Sequence, residues 1–201
     1  TNDETHRSYL NLKKTNKNIF YHKVPVNSGH DYNIVNSIKI TNSYYVWLLG
    51  DSITINLDYI EQIFDIINKH TPSIIGVNDK DRNVVQRTGF YKNNEEVFTK
   101  FAWHLTLTGT TIYNKDILSN YIEFDTERFK NFPQMYLIYN TLIKNSGFYW
   151  INDHIISRVN IKKKSYWSNN LFEVFLDDWS NAIFNLSNYY SYRIKKKVIS
   201  S

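Results

Sequence analysis

Blocks of apolar and polar positions alternate along residues 1–80, and their periods predict strands and helices in turn. The run YYVWLL (44–49) is continuously apolar, which is typical of a strand covered on both faces. Residues 57–70 carry apolar side chains at the i, i+3, i+4, i+7 spacing of a helix that buries one face. Because strands and helices alternate, we predict an α/β fold with a mostly parallel sheet flanked by helices. The predicted strands are 18–24, 44–49 and 73–77, and the predicted helices are 31–40 and 57–70.

The remainder of the chain has a less regular pattern. Residues 77–98 are mainly polar and predict an excursion from the core. We predict, in chain order, a strand over 101–113, helices over 114–122 and 132–145, one or two strands over 148–159 and a long helix over 171–190. The apolar stripe of the last helix comprises Phe172, Phe175, Leu176, Trp179, Ile183 and Leu186. We therefore divide the chain into a main domain, residues 1–145, and a C-terminal extension, residues 146–201.

A single acidic residue, Asp51, ends the apolar run at 44–49. In sheets with parallel strands, ligands bind beyond the carboxyl ends of the strands. A carboxylate at such an end suits a contact to a nucleotide or a metal ion. The alternative is an ordinary turn or helix-capping aspartate, and the position at the end of a strand favours the ligand contact.

Composition restricts the chemistry. The chain of 201 residues is 42% hydrophobic and 21% charged, which predicts a folded domain and not a disordered segment. The absence of Cys excludes disulfides, thiol catalysis and zinc-thiolate sites. The His residues show no i, i+4 pair of the kind found in zinc hydrolases, and there is no GxSxG, Walker or GxGxxG motif. No apolar run approaches the roughly 20 residues of a membrane-spanning helix.

The net charge of +5 permits an anionic partner. Two triple-lysine runs, 162–164 and 195–197, lie near the C-terminus. They predict either a solvated basic face or a surface that docks to an anionic membrane. The chain lacks a concentrated basic stripe, so nucleic acid is not an expected partner. The oligomeric state is left open.

The order of several short motifs is more specific than any one of them. They are NDET (2–5), NSGHDYN (27–33), YYVWLLGDSI (44–53), FAWHLTLTGTTIYNKDIL (101–118) and FPQMYLIYNTL (132–142). In this order they resemble the family 2 nucleotide-sugar glycosyltransferases, which have a GT-A fold and build bacterial cell-surface polysaccharides. The resemblance covers roughly residues 2 to 145.

The resemblance implies an activity and a set of binding residues. The activity is transfer of a sugar, with inversion, from a nucleotide diphospho-sugar to a surface polysaccharide or a lipid-linked saccharide. The implied location is the cytoplasm, peripherally on the inner face of the plasma membrane. The implied nucleotide-sugar-binding residues are Asp3, Asn27, Gly29, Asp51 and Ser52.

The chain departs from the family pattern in two places. Family members begin with a further strand and helix, so we expect this chain to be incomplete at its N-terminus or to receive that strand from another chain. The family's acidic cluster is reduced here to Asp51, Ser52 and Ile53. A divalent cation, Mn²⁺ or Mg²⁺, with Asp51 as a ligand is the implied cofactor. The loss of the neighbouring carboxylates argues against it and favours a rival function, that of a non-catalytic GT-A-like binding or regulatory subunit.

An inverting transfer also needs a base near the acceptor hydroxyl. The resemblance places Gln134 where relatives carry an acid, and glutamine cannot take a proton at neutral pH. We predict His104 as the catalytic base, with Asp125 and Glu127 as alternatives.

The diphosphate leaving group needs positive charge when a metal ion is missing. The candidates for this role are Arg82, Arg87 and Lys92, which lie in the polar excursion.

Overall fold

A mixed β-sheet forms the centre of the protein in the computed structural model, which describes residues 3–24, 26–145, 147–159 and 170–200. Its strands are β1 (Tyr45–Trp47), β2 (Ile53–Ile55), β3 (Ile74–Asp79), β4 (Gly89–Tyr91), β5 (Thr111–Asn114) and β6 (Phe148–Arg158). The helices are α1 (Asp3–Thr15), α2 (Gly29–Ile40), α3 (Ile60–His70), α4 (Asn94–Phe101), α5 (Lys115–Leu118), α6 (Pro133–Lys144), α7 (Trp179–Asn185) and α8 (Tyr192–Ile199).

The strand order is β1-β5-β3-β6-β2, with β4 also paired to β6. The predicted α/β class with flanking helices is confirmed, but the predicted predominance of parallel pairs is wrong. Among the described strands, β3 and β6 form the parallel pair and the other pairs are antiparallel. The crossover through α3 does give β1 and β3 the same direction, as expected for a strand–helix–strand unit. However, β5 inserts between them in the opposite direction, a pairing that local periodicity does not reveal.

The shared direction of β1, β3 and β6 brings their carboxyl ends to one side of the sheet. We call this side the carboxyl edge. It is formed by the residues that follow Trp47, by Asp79 at the end of β3 and by Arg158 at the end of β6. These are the positions at which ligands bind in related sheets.

The sheet separates two apolar clusters. One cluster contains Ile63 and Ile66 of α3, and the other contains residues of α4, α6, α7 and α8. Strand β3 lies between the clusters and is buried along its whole length. Its Gly76 leaves room for the rings of β6, because a Cβ atom at this position would lie 2.6 Å from Cζ of Phe148.

The predicted helix over 57–70 is confirmed. A 3₁₀ turn at Leu57–Tyr59 leads into α3, and the Asn56 side chain accepts a hydrogen bond of 3.1 Å from the backbone N–H of Asp58. Asn56 therefore acts as the N-cap of this helical segment. The helix ends at Thr71, whose φ of 44° is left-handed.

The predicted strand over 18–24 is wrong, because these residues are irregular. The backbone carbonyl of Ile19 accepts a hydrogen bond from the Lys13 side chain at 2.8 Å. A β-branched and aromatic composition thus forms a strand only where a neighbouring strand offers partners.

The predicted strand over 101–113 is also largely wrong. Asn93 caps α4 by accepting hydrogen bonds from the backbone N–H groups of Glu95 and Glu96, and this helix continues to Phe101. The following residues, His104–Thr106, form a 3₁₀ turn, and only Thr111–Asn114 pairs in the sheet. The alternation of Leu and Thr over residues 105–108 suggested the two-residue period of a strand, but these residues lie in and just after this turn.

The predicted single helix over 171–190 is divided. Residues Glu173–Asp178 form a π-helix before α7. Because a π-helix has more residues per turn, the face of the helix rotates relative to an α-helix. Trp179 and Ile183 are consequently buried, while Phe172 is 82% exposed and Leu176 is 61% exposed.

The C-terminal residues share the core of the main domain. Strand β6 lies between β3 and β2 in the sheet, although it follows the predicted boundary at residue 145. Tyr190 packs on Phe98 of α4, with ring centroids 4.5 Å apart. The two predicted parts of the chain therefore form one sheet and one set of packed helices.

The second triple-lysine run is not a uniform basic surface. Lys195 is 4% exposed, and its ammonium group donates hydrogen bonds to the backbone carbonyls of Phe184 and Leu186 at the end of α7. Lys196 and Lys197 are exposed. The other run, 162–164, lies outside the described residues, so docking to an anionic membrane stays a prediction. Within the described ranges, no helix has the length and apolarity needed to cross a bilayer.

Candidate functional site

Asp51 lies in an exposed turn at the carboxyl edge. The turn is closed by a hydrogen bond of 3.1 Å from the Ile53 N–H to the Gly50 carbonyl. The next residue, Ser52, accepts a hydrogen bond of 2.9 Å from the N–H of Val159, the residue after β6. Asp51 therefore sits beside the end of β6, with its side chain accessible to solvent.

Asn27 and Gly29 form a turn at the start of α2. The Asn27 side chain accepts a hydrogen bond of 3.1 Å from the Gly29 N–H, and Gly29 has a left-handed φ of 87°. Glycine is favoured there because other residues adopt this conformation at a cost. Two residues further along α2, Asp31 accepts a hydrogen bond of 2.8 Å from the N–H of Asn131, which precedes α6. This contact joins the start of α2 to the segment that leads into α6.

Asp3 is the first residue of α1. The ring contacts of α1 join His6 and Tyr9 to Tyr21, at centroid distances of 5.1 Å and 5.2 Å. A contact between Asp3 and a nucleotide stays a prediction.

Gln134 lies in the first turn of α6 beside a narrow cleft. The cleft is lined by Ile34, Leu48, Leu107, Thr108, Gly109, Thr111, Tyr113 and Gln134. Gln134 is 4% exposed and donates a hydrogen bond of 2.7 Å to the Thr106 carbonyl. The cleft brings together residues from α2, from the segment after β1 and from α6. Gln134 itself offers an amide and no base.

His104 is buried below the sheet edge. It is 2% exposed, and its Nε2 donates a hydrogen bond of 2.9 Å to the Val77 carbonyl. Its ring packs edge-on against Trp150 at 5.1 Å. Burial lowers the pKa of His104, and the Val77 carbonyl opposes this shift. The ring is enclosed by protein, so its role as a catalytic base stays a prediction.

A buried carboxylate, Asp79, organises the centre of the carboxyl edge. Its Oδ1 accepts hydrogen bonds from the backbone N–H groups of Asp81 at 2.9 Å and Arg82 at 2.7 Å. The Nη2 atom of Arg158 lies 3.5 Å from the same oxygen. Arg82 in turn donates hydrogen bonds from Nη1 to the Trp103 carbonyl at 3.0 Å and to the Thr106 hydroxyl at 2.8 Å.

The two guanidinium groups influence each other. Burial lowers the pKa of Arg82, the positive charge of Arg158 lowers it further, and Asp79 opposes both effects. Arginine stays protonated under such conditions. The carboxyl edge therefore carries two positive charges together with the carboxylates of Asp79 and Asp81.

Sequence reasoning missed Asp79 and Arg158. The run SIIGVND (73–79) ends in polar residues after an apolar strand, as YYVWLLGD does at Asp51. The rule that selected Asp51 would have selected Asp79 as well. Arg158 offered no comparable signal, because its position depends on how β6 pairs with β3.

The structure separates the three predicted cations. Arg82 lies at the carboxyl edge, whereas Arg87 and Lys92 line a different cleft of about 710 Å³. Lys92 follows β4, which pairs with the first residues of β6 and hence lies toward the opposite side of the sheet. Arg82 is the one of the three that lies at the carboxyl edge, next to Asp79.

Asp125 and Glu127, the alternative catalytic bases, lie at the start of a 3₁₀ turn, Thr126–Phe129, and their role as a base stays a prediction. Asp125 accepts a hydrogen bond from the Glu127 N–H at 3.2 Å and pairs with Arg128 at 3.4 Å, as a turn-capping residue does.

The described part of the chain holds no group of three or more His, Asp or Glu side chains arranged for a metal ion. A hard divalent cation takes six or more oxygen ligands, and the Asp51 turn offers one carboxylate. The residues present therefore do not fit a cation held by the protein alone.

The sheet, its flanking helices and the position of this edge define a GT-A-like fold. The chain is similar to TarS residues 1–349 from S. aureus, with a TM-score of 0.69 and 15% identity over 99% of this chain and 58% of that chain. For the TarS structure with UDP-GlcNAc, the TM-score is 0.69 and the identity is 16%, over 99% of this chain and 60% of that chain. For the TarS structure with UDP, the TM-score is 0.67 and the identity is 14%, over 99% of this chain and 59% of that chain. The chain thus spans less than two thirds of the TarS structures. No family model matches the chain, and no curated protein matches it in sequence.

Proposed function

We propose that the chain binds a nucleotide diphospho-sugar at its carboxyl edge and transfers the sugar to a surface-polysaccharide or lipid-linked saccharide acceptor. The observation that carries the proposal is the exposed Asp51 turn at the carboxyl edge of a GT-A-like fold. The similar TarS structures were solved with UDP-GlcNAc and UDP. A uridine nucleotide is therefore the donor class to test first.

The chain's residues have distinct roles in this proposal. Asp51 accepts hydrogen bonds from the ribose hydroxyls, and Ser52 lies next to it. The Asn27–Gly29 turn shapes the nucleotide side of the cleft through the start of α2. Asp3 contributes a nucleotide contact, as the sequence resemblance implies.

The proposed reaction is a direct displacement with inversion at the anomeric carbon. The acceptor oxygen forms a bond to this carbon while the bond to the β-phosphate oxygen breaks. The electron pair of the broken bond leaves with the nucleoside diphosphate, and the acceptor's hydroxyl proton passes to a base. His104 is the predicted base, and we derive no step through a metal ion.

Binding of UDP and UDP-GlcNAc by isothermal titration calorimetry tests the proposal. We expect both ligands to bind and Asp51→Ala to weaken binding by about tenfold or more, because a hydrogen bond to a charged group contributes about 1.5–3 kcal/mol. Asp65→Ala is the matched control, since Asp65 is an exposed acid on α3. Equal affinity of the Asp51 and Asp65 variants would contradict the proposed site.

A non-catalytic binding subunit is the second candidate. The single carboxylate of the Asp51 turn and the amide of Gln134 at the start of α6 favour it. The two functions differ in turnover. An enzyme releases UDP from UDP-GlcNAc when a saccharide acceptor is added, whereas a binding subunit holds the donor and releases none.

A further inference from the structure

The loop that carries Arg82 is held in one conformation by buried polar contacts. Asn78 is fully buried, and its side-chain amide donates hydrogen bonds to Asn83 Oδ1 at 3.2 Å, the Val84 carbonyl at 3.1 Å and the Asn152 carbonyl at 3.0 Å. Its Oδ1 accepts hydrogen bonds from the N–H groups of Asp79 and Val84. These contacts fix both ends of the segment 79–84, so the site is built into the fold.

The Arg82 side chain is held in one orientation, but only some of its hydrogen-bond donors have a described partner. Its Nη1 bonds to Trp103 and Thr106, and its guanidinium carbon lies 5.1 Å from the centre of the Trp103 ring. Among the described residues, Nε and Nη2 make no hydrogen bond. A held guanidinium with spare donors is suited to a bidentate contact with phosphate.

Arg158 is held loosely by carboxylates. Its Nη2 lies 3.5 Å from Asp79 Oδ1, and its Nε lies 3.5 Å from Asp81 Oδ2. Both distances exceed the roughly 2.7–2.9 Å of a charge-assisted hydrogen bond. The Arg158 side chain is 40% exposed, so its donors can turn toward an incoming anion.

We infer that Arg82 and Arg158, positioned by Asp79, bind the diphosphate of the donor. The inference deepens the proposed function and rests on it. Asp79 and Asp81 lie close to Arg158, but the long contacts of Arg158 and the spare donors of Arg82 leave hydrogen-bond donors for a diphosphate. Ile53 pairs with Arg158 in the sheet, which places the arginine beside the turn where the carboxylates of a metal site are missing. Positive charge from the protein would take the place of a metal ion in neutralising the leaving group.

Titration with inorganic pyrophosphate and with UDP tests the inference. We expect Arg82→Gln and Arg158→Gln each to weaken binding of both ligands by about tenfold or more, with Arg158→Lys intermediate because lysine binds phosphate as a point charge. Arg128→Gln is the control, an exposed arginine that pairs with Asp125. Near-UV circular dichroism of each variant reports whether it is folded.

A variant that should strengthen binding makes the test independent of folding defects, because a misfolded protein would lose affinity and not gain it. Asp81 is 51% exposed and competes for Arg158, so Asp81→Asn should strengthen pyrophosphate binding severalfold. A purely structural ion-pair network predicts no gain. The inference is overturned if wild type does not bind pyrophosphate, or if the arginine and Asp81 variants bind it like wild type.

The same titrations separate the two claims. If UDP binds with Asp51 required and the arginines not required, the proposed function stands and the arginine assignment fails. If pyrophosphate binds through the arginines and neither UDP nor UDP-GlcNAc binds more tightly than pyrophosphate, the arginines form a diphosphate site but the proposed function, and with it the assignment to a sugar donor, fails.

Discussion

Buried polar residues give the carboxyl edge its shape at the residue scale. Asn78, Asp79, His104 and Gln134 are each less than 5% exposed, although such groups are costly to bury without partners. Their hydrogen bonds go mainly to backbone groups of the loops at this edge. These side chains thus fix the loops that carry the exposed residues, and it is the exposed residues that meet a ligand.

His104 should make stability depend on pH. Because burial lowers its pKa below the usual value of 6.5, the unfolded state takes up a proton near that pH and the folded state does not. The contribution of His104 is therefore full above pH 6.5 and is lost as the pH falls below it. Urea unfolding at about pH 7.5 and about pH 5.5 measures this loss.

The difference between variants isolates the His104 contribution. Wild type and an exposed control, His154→Gln, should lose more stability on acidification than His104→Gln does. Equal losses in all three proteins would show that His104 is not buried in the neutral form. If His104 also acts as the base, His104→Gln will bind UDP-GlcNAc normally and release no UDP when acceptor is added.

Close packing of β3 against β6 controls stability at the element scale. A Cβ atom at position 76 would overlap rings of Phe148 and Trp150, at 2.6 Å and 2.9 Å. We expect Gly76→Ala to lower the free energy of unfolding by about 1–3 kcal/mol, as overpacked cores do. Gly50→Ala is the control, because its Cβ would meet Ile53 at an ordinary 3.8 Å. Equal urea midpoints for the two variants would contradict the packing of these strands.

Lys195 should stabilise the end of α7. It is buried and donates to the carbonyls of Phe184 and Leu186, which have no further helical turn to bond to. Lys195→Met should cost about 1–3 kcal/mol of unfolding free energy, the penalty for buried acceptors left without a donor. Lys197→Met, at an exposed position in the same run, should change stability by less than about 0.5 kcal/mol. Thermal unfolding compares the two, and a reversed order would contradict the described docking of α8.

Helices were easier to predict from the sequence than strands. Those over 31–40, 57–70 and 132–145 follow from apolar periodicity, which depends only on residues within the same segment. Strand directions depend on partners far along the chain. The insertion of β5 between β1 and β3 therefore could not be predicted.

The candidate site likewise has local features, which the sequence indicates, and features that depend on pairing between distant strands. The Asp51 turn and the Asn27–Gly29 turn are local, and the sequence predicted both. The cluster of Asp79 with Arg158 joins residues far apart in sequence through the parallel pairing of β3 and β6. Pairing of that kind is set by the fold as a whole.

At the scale of the whole molecule, one sheet edge gathers the exposed acid, the two arginines and the start of α6. This arrangement occurs in a GT-A-like fold whose described residues lack a three-acid metal site. The account therefore has one central claim, that a nucleotide diphospho-sugar binds at the carboxyl edge with its ribose at Asp51.

A crystal structure with UDP-GlcNAc tests this claim most directly. We predict a ribose hydroxyl within hydrogen-bonding distance of the Asp51 carboxylate, about 2.6–3.2 Å, with the diphosphate between Arg82 and Arg158. A nucleotide bound in the other cleft, beside Arg87 and Lys92, or at any site away from Asp51, would contradict it.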